Sequence, residues 1–195
     1  MRAVILMGSP RKNGNTAALV APYVRELEAK GVDCTSFDVY DMDLRPCVAC
    51  RVCQQNWKVF GCCQDDDMGK IFDAVMEADL IAVASPIYSW YCTPPVKNVL
   101  DRLVYGMNKY YGEKVGPSLW EGKRLALITT CGYPVEKGTD LFEEGMKRYA
   151  KHSGLQYIGM AAERQRNYHE PFMDGDKEAK MIAFANHCYG ACEEV

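Results

Sequence analysis

Two stretches of this chain carry residue types that can do chemistry. The first is residues 8–16, GSPRKNGNT, set between an apolar run at 3–7 and a segment, 17–30, whose apolar residues recur at helical spacing and stop at Gly31. A strand feeding such a loop into a helix builds an anion site. The first N–H groups of the helix have no internal partner, and the helix dipole favours negative charge there. Ser9, Asn15 and Thr16 add hydroxyl and amide donors, and Arg11 or Lys12 can screen the two charges of a phosphomonoester. The spelling is not the GxxxxGK[ST] of nucleotide triphosphate loops, because Gly14 comes one residue late and Asn15 replaces the lysine. It is not the dinucleotide GxGxxG either. A single phosphate, as on a mononucleotide, fits it; the plain alternative is a turn whose Ser and Asn cap a helix.

The second stretch is a crowd of thiols. Of the ten cysteines, Cys47, Cys50, Cys53, Cys62 and Cys63 fall within residues 47–63. The apolar N-terminal run is too short for a signal peptide, and no segment reaches the ~18–20 apolar residues of a membrane span. We therefore expect a cytoplasmic protein without membrane contact. In a reducing compartment structural disulfides are rare, so the crowding points to chemistry. The net charge of −3, with 23 basic and 26 acidic residues intermixed, offers no basic stripe for nucleic acid. A chain of 195 residues, 48% hydrophobic, has the core of one domain, read as 1–195.

The elements that must position these residues alternate strand and helix. Strands are read at 3–7, 32–40, 80–84, 124–130 and 155–162, with Cys34 and Phe37 expected to be buried. Helices are read at 17–30, bent at Pro22, and at 68–78, 140–152 and 175–191. A further helix starts at Pro94 and Pro95 and carries the stripe Val96, Val99, Leu100, Leu103 and Met107. Asp65, Asp66 and Asp67 read as caps of the 68–78 helix rather than metal ligands. The cysteine-rich insertion at about 41–64 is too long for an ordinary connection, and 105–121, without periodicity, reads as a long surface loop. The pattern implies an α/β protein, a doubly wound five-stranded parallel sheet with helices on both faces.

In such a sheet, ligands lie outside the carboxyl ends of the strands. Three loops belong there: 8–16, 85–92 and 130–134. The second offers Tyr88 and Trp90 as flat apolar surfaces with backbone polar groups between them, which suits a planar heterocycle; core filling or a subunit contact is the alternative. His152 sits near a helix C-terminus, where its charge is mildly favoured, and Cys188, Cys192 and His187 read as ordinary residues of the last helix.

The stretches GSPRKNGNT, SPIYSWYCTPPVKNVLDR and EGKRLALITTCG, in this order and spacing, resemble the NADPH-dependent FMN reductase and iron–sulfur flavoprotein group of the flavodoxin-like superfamily over roughly residues 2–162. The resemblance implies a flavodoxin-like fold and bound FMN. It assigns Ser9, Arg11, Asn15 and Thr16 to the FMN phosphate, and Pro86, Ile87, Tyr88, Ser89 and Trp90 to the isoalloxazine and ribityl chain. Thr130, Cys131, Gly132 and Tyr133 would approach the ring from the other side. The run CVACRVC supplies thiols at i, i+3 and i+6, the start of a four-cysteine iron–sulfur run, and relatives carry such a run in this same connection. A [4Fe–4S] cluster on Cys47, Cys50, Cys53 and Cys62 is the reading we take. Cys63 competes with Cys62, which follows Cys53 only after an eight-residue gap, and a four-thiol zinc site or free or disulfide-forming thiols are the alternatives.

The function expected from the resemblance is that of an FMN-dependent oxidoreductase. It would pass electrons from NAD(P)H or a protein donor to a small-molecule acceptor such as a quinone or flavin, as a homodimer or homotetramer. The alternative is an iron–sulfur flavoprotein carrier exchanging electrons with a ferredoxin-type protein; a redox-sensing regulator ranks third. No side chain is needed as acid or base, so no catalytic residue is named.

Overall fold

The computed structural model describes residues 1–167 and 169–193. Its strands are β1 (Arg2–Met7), β2 (Asp33–Asp38), β3 (Leu80–Pro86), β4 (Arg124–Cys131) and β5 (Gln156–Arg164). They form one parallel sheet in the order β2-β1-β3-β4-β5, the flavodoxin-like order, so the winding reverses between β1 and β3. The helices are α1 (Asn15–Ala29), α2 (Met68–Glu77), α3 (Pro94–Met107), the short α4 (Val135–Gly138), α5 (Asp140–Ser153) and α6 (Gly175–Glu193).

Strand residues alternate between two cores. Val4, Leu6, Ile81, Val83, Leu125 and Leu127 face α2, α3 and α5. Ala3, Ile5, Ala82, Ala84, Ala126 and Ile128 face α1 and α6. With helices on both faces every strand position must be apolar, which explains the unbroken runs in the sequence. Gly31 ends α1 at φ 81°, a left-handed conformation that suits a residue without Cβ.

Several expectations need correction. The edge strand β2 is shorter than 32–40, and Cys34 and Phe37 are only half-buried, because an edge strand has a neighbour on one side alone. The segment 105–121 is a surface loop only in part: residues 112–115 are exposed, but α3 continues to Met107, and Asn108, Lys109 and Trp120 are buried. Asn108 is the reason. Its Oδ1 accepts from Trp120 Nε1 (2.7 Å) and Ser118 Oγ (3.1 Å), and its Nδ2 donates to Ser153 Oγ (3.0 Å), so side-chain bonds replace the missing periodicity.

The reversal between β1 and β3 needs a close approach at Gly8. Its N–H donates to the Ala84 carbonyl (2.7 Å) and its own carbonyl accepts from Thr93 Oγ1 (2.8 Å). A Cβ there would lie 2.0 Å from Val96 Cγ2 and 3.1 Å from the Ala84 oxygen. Val96 is β-branched, buried and helical, so it cannot easily turn aside. Gly8→Ala is expected to cost about 1–3 kcal/mol in urea unfolding, and adding Val96→Ala should recover part of the loss by opening the contact.

Candidate functional site

The loop after β1 folds on its own atoms. Ser9 Oγ both accepts from the Arg11 N–H and donates to the Arg11 carbonyl (3.2 Å each), and the Gly14 N–H closes back on the same carbonyl (3.0 Å). This tight turn delivers the chain to α1 with Gly14 at the cap and no side chain capping the helix. The first-turn N–H groups of Asn15, Thr16 and Ala17 therefore face the loop as an open anion site. Arg11 stands exposed beside it, while Lys12 is drawn off to Asp41 at the surface, so of the two basic candidates Arg11 is the one available.

Thr16 is buried, and its hydroxyl meets that of Thr130 at 2.8 Å, tying the helix start to the end of β4. Asn15 Nδ2 donates to Gln165 Oε1 (2.8 Å), which brings in the connection after β5. One cleft is lined by Arg11, Asn15, Pro86, Ile87, Tyr88, Thr130, Cys131, Gly132 and Gln165. It adjoins a second lined by Ile87, Ser89, Trp90, Cys131, Gly132, Tyr133 and Gly138. The structure thus brings together the residues singled out from the three loops, with Ser9 and Thr16 buried beneath them.

The connection after β3 is a two-residue hairpin turn: Tyr88 and Tyr91 exchange backbone bonds (2.8 and 3.0 Å), and Ser89 and Trp90 sit at φ 49° and 64°. Such a turn normally takes Gly or Asn, so this one stores strain at the mouth of the cleft. Trp90 is held by its indole N–H on the Lys137 carbonyl (3.1 Å) and by stacking on Tyr133 (5.8 Å between centroids). The wealth of backbone donors expected here is reduced, because the Ile87, Tyr88 and Tyr91 N–H groups bond other backbone atoms. Those of Ser89, Trp90, Gly132 and Tyr133 meet no acceptor among the described residues. The Cys131 thiol donates to the Tyr133 carbonyl (3.3 Å), and burial raises its pKa.

The cysteine segment folds against the second half of α3 into a pocket lined by Cys47, Cys50, Cys53, Cys62 and Cys63 together with Phe60, Arg102 and Tyr105. Ala49 and Arg51, one residue before and after Cys50, take left-handed φ values of 53° and 61°. These turns place the cysteines along the wall of one pocket. The Ala49 N–H donates to Cys47 Sγ (3.4 Å), and Cys50 and Cys63 Sγ lie 3.2 Å apart. Burial raises the Cys53 pKa; the backbone N–H of Val52, and then Cys63, lower that of Cys50. Among the described residues no three Cys, His, Asp or Glu side chains converge as ligands of one metal ion.

Asp66 takes the capping role expected of it and a second role besides. Although its Oδ1 accepts from the Met68 N–H (3.2 Å), its side chain is fully buried against Arg102 and also accepts from the Arg45 N–H (3.0 Å). Arg102 in turn donates to the Arg45 carbonyl and to Cys62 Sγ (3.2 Å each), and its buried Nε has no partner among the described residues. Burial alone would push the Asp66 carboxyl up. The guanidinium of Arg102 and the two backbone N–H groups outweigh it and hold the pKa below its ordinary value. Arg102, Lys109 and Gln165 were missed from sequence. A signal existed for Arg102: it lies three residues after Val99 on the buried face of α3, where a cation needs a partner.

With this geometry in place, comparison with known proteins is informative. A family model described as NADPH-dependent FMN reductase matches residues 1–141. An iron–sulfur flavoprotein of Archaeoglobus fulgidus is 32% identical over 120 residues, 61% of this chain and 53% of the relative. The chain spans about half the length of the curated relatives first in similarity. Among solved structures, NAD(P)H:quinone oxidoreductase from Methanothermobacter marburgensis aligns with TM-score 0.68 and 18% identity over 100% of this chain and 98% of that one. A flavodoxin from the domain Archaea aligns with TM-score 0.61 and 16% identity over 100% of both chains. Both structural likenesses speak for the fold.

The buried Asp66–Arg102 pair gives a prediction. Asp66→Asn leaves a buried guanidinium without its counter-charge and should cost about 3–5 kcal/mol at pH 7. A carboxyl with a depressed folded pKa contributes stability above its unfolded pKa of about 3.9 and loses it as pH falls through the folded value. Urea unfolding of wild type and variant should therefore differ most at neutral pH and converge below about pH 4.

Proposed function

Because the chain belongs to the NADPH-dependent FMN reductase family, we propose that it binds FMN in the cleft at the carboxyl edge of the sheet and is an oxidoreductase transferring electrons from NAD(P)H or a protein donor to a small-molecule acceptor such as a quinone or flavin. The observation that carries this reading is convergence. An uncapped helix N-terminus beside a free arginine adjoins a strained aromatic turn and the end of β4, three elements far apart in sequence. FMN would supply the step between two-electron and one-electron chemistry.

The chain's own residues do the rest. The α1 N-terminus with Arg11 and Asn15 holds the phosphate, the Thr16–Thr130 bond keeps that loop in register with β4, and Tyr88 with the Trp90–Tyr133 stack shields the ring from water. The N–H groups of Gly132 and Tyr133 are positioned as donors toward charge that grows on the ring. The exposed aromatic mouth, with Tyr133 at 61% and Trp90 at 46%, favours assembly as a homodimer or homotetramer, which light scattering measures.

A second reading has its own observation. The five-cysteine pocket and the iron–sulfur flavoprotein relatives favour a [4Fe–4S] cluster held by Cys47, Cys50, Cys53 and Cys62, and with it an electron carrier that meets a ferredoxin-type protein. The donor set fits such a group: N–H···S contact at Cys47, a guanidinium on Cys62, and left-handed turns between the thiols. Tetrahedral zinc, with Zn–S bonds of ~2.3 Å, is the alternative occupant of the same thiols, and metal analysis of anaerobic protein distinguishes iron and sulfide from zinc. A cluster spreads its four thiolates over four irons.

Calorimetry tests the flavin site. FMN should bind far more tightly than riboflavin, and Arg11→Ala should weaken FMN by roughly 1.5–3 kcal/mol while leaving riboflavin unchanged. Equal binding of the two flavins by the unaltered protein overturns the phosphate assignment. Rapid NAD(P)H oxidation with a quinone and no protein partner favours the reductase; slow turnover restored by ferredoxin favours the carrier.

A further inference from the structure

Lys109, two residues beyond the end of α3, is 0% exposed. An ammonium taken out of water costs several kcal/mol unless hydrogen bonds and opposite charge compensate. Its hydrogen bonds are complete: Nζ donates to the carbonyls of Cys53 (2.8 Å), Val59 (2.7 Å) and Phe60 (3.4 Å). Its charge is not balanced. Carbonyl dipoles satisfy donors without neutralising them, and no carboxylate among the described residues pairs with Lys109. The nearby Arg102 is different, since the buried Asp66 neutralises it.

The three carbonyls that Lys109 gathers bracket the eight-residue gap between Cys53 and Cys62. That gap is anchored near its two ends, at Gln54 and Phe60, while residues 55–59 between them are exposed. Gln54 Nε2 donates to the Tyr105 and Asn108 carbonyls and its Oε1 accepts from the Tyr111 N–H (3.0 Å). Phe60 stacks on Phe72 (4.7 Å) and occupies the space over Gly106, where a Cβ would come within 2.2 Å of its ring. Trp57 rests on Gly116 in the same way, 2.8 Å from where a Cβ would lie. The gap residues wrap the lysine and return the chain, so that Cys62 shares a pocket with Cys53.

We propose that Lys109 is the positioning and charge-balancing residue of the cysteine site: it closes the long gap between Cys53 and Cys62 and supplies the buried positive charge that a net-negative, thiolate-ligated iron–sulfur group requires. The inference rests on the cluster reading given above. Four thiolates outweigh the positive core they bind, so a cation held against the Cys53 end stabilises the ligated group, and stabilises it more after one-electron reduction. An extra positive charge raises the reduction potential.

Lys109→Met in the FMN-loaded protein is the test, with FMN content as the check of folding. Anaerobic redox titration of the iron–sulfur absorbance should give a midpoint more negative than that of the wild type. Separately, Co2+ titration of cluster-free protein should show binding about 10-fold or more weaker, read from the thiolate charge-transfer band. Lys109→Gln, which keeps N–H donors and loses the charge, carries the same readouts if Lys109→Met does not fold. A folded variant with wild-type midpoint and wild-type Co2+ affinity overturns the proposal and leaves the cluster reading intact. Wild-type protein that takes up neither an iron–sulfur group nor Co2+ overturns both.

Discussion

A parallel sheet forces every strand to end on the same edge, and everything distinctive about this chain follows from that constraint. The connections after β1, β3, β4 and β5 must all leave from that edge. The turn after β1, the aromatic hairpin and the Thr130–Tyr133 segment therefore become neighbours without any local signal requiring it. The cysteine insertion, which follows β2, leaves from the edge too. The reversal of winding between β1 and β3 opens the crevice, and the backbone contact of Gly8 with Ala84 keeps the two strand ends close enough to share it.

The cysteine segment is held by a different principle. Apart from one short turn at Val52–Gln54 it has no regular structure, so its backbone groups cannot satisfy one another. Buried polar side chains do it instead. Arg102 and Asp66 reach the backbone of Arg45 and Met68, Lys109 collects three carbonyls, and Gln54 serves both sides of the 105–111 backbone. Such a network is costly if any member is lost, because each buried group left unpaired keeps its desolvation cost. A segment organised this way has a defined shape only where its partners, all on or just after α3 or at the start of α2, are already in place.

This difference explains what was legible in the sequence. The five strands and the helices at 68–78, 94–107, 140–152 and 175–191 were readable because burial on one face or two imposes a period. Residues such as Val96, Val99, Leu100, Leu103 and Met107 announce it. The loop GSPRKNGNT was readable because its chemistry is local. Of residues 105–121 the exposed 112–115 fit the expected surface loop, but Asn108 and Trp120 are deeply buried by long-range hydrogen bonds that no window along the chain reveals. Asp66 was read only in part for the same reason: it does accept from the first N–H of α2, but its pairing with an arginine 36 residues later is a tertiary contact. The Trp90–Tyr133 stack and the Asn15–Gln165 bond join different loops and are likewise tertiary facts.

Helix α3 links the two halves of the site. At its first turn, Thr93 holds the Gly8 carbonyl and so the entry to the anion-binding loop. Further along, Arg102 reaches Cys62 and Gly106 admits Phe60, and just past its end Lys109 anchors the Cys53–Cys62 gap. One rigid element thus fixes both the cleft and the thiol pocket, and its apolar stripe is locked into the core by Val96, Val99 and Leu103. A flexible tether would let the two groups of residues drift independently. A helix packed against α2, α5 and the turn at Val52–Gln54 holds their separation constant.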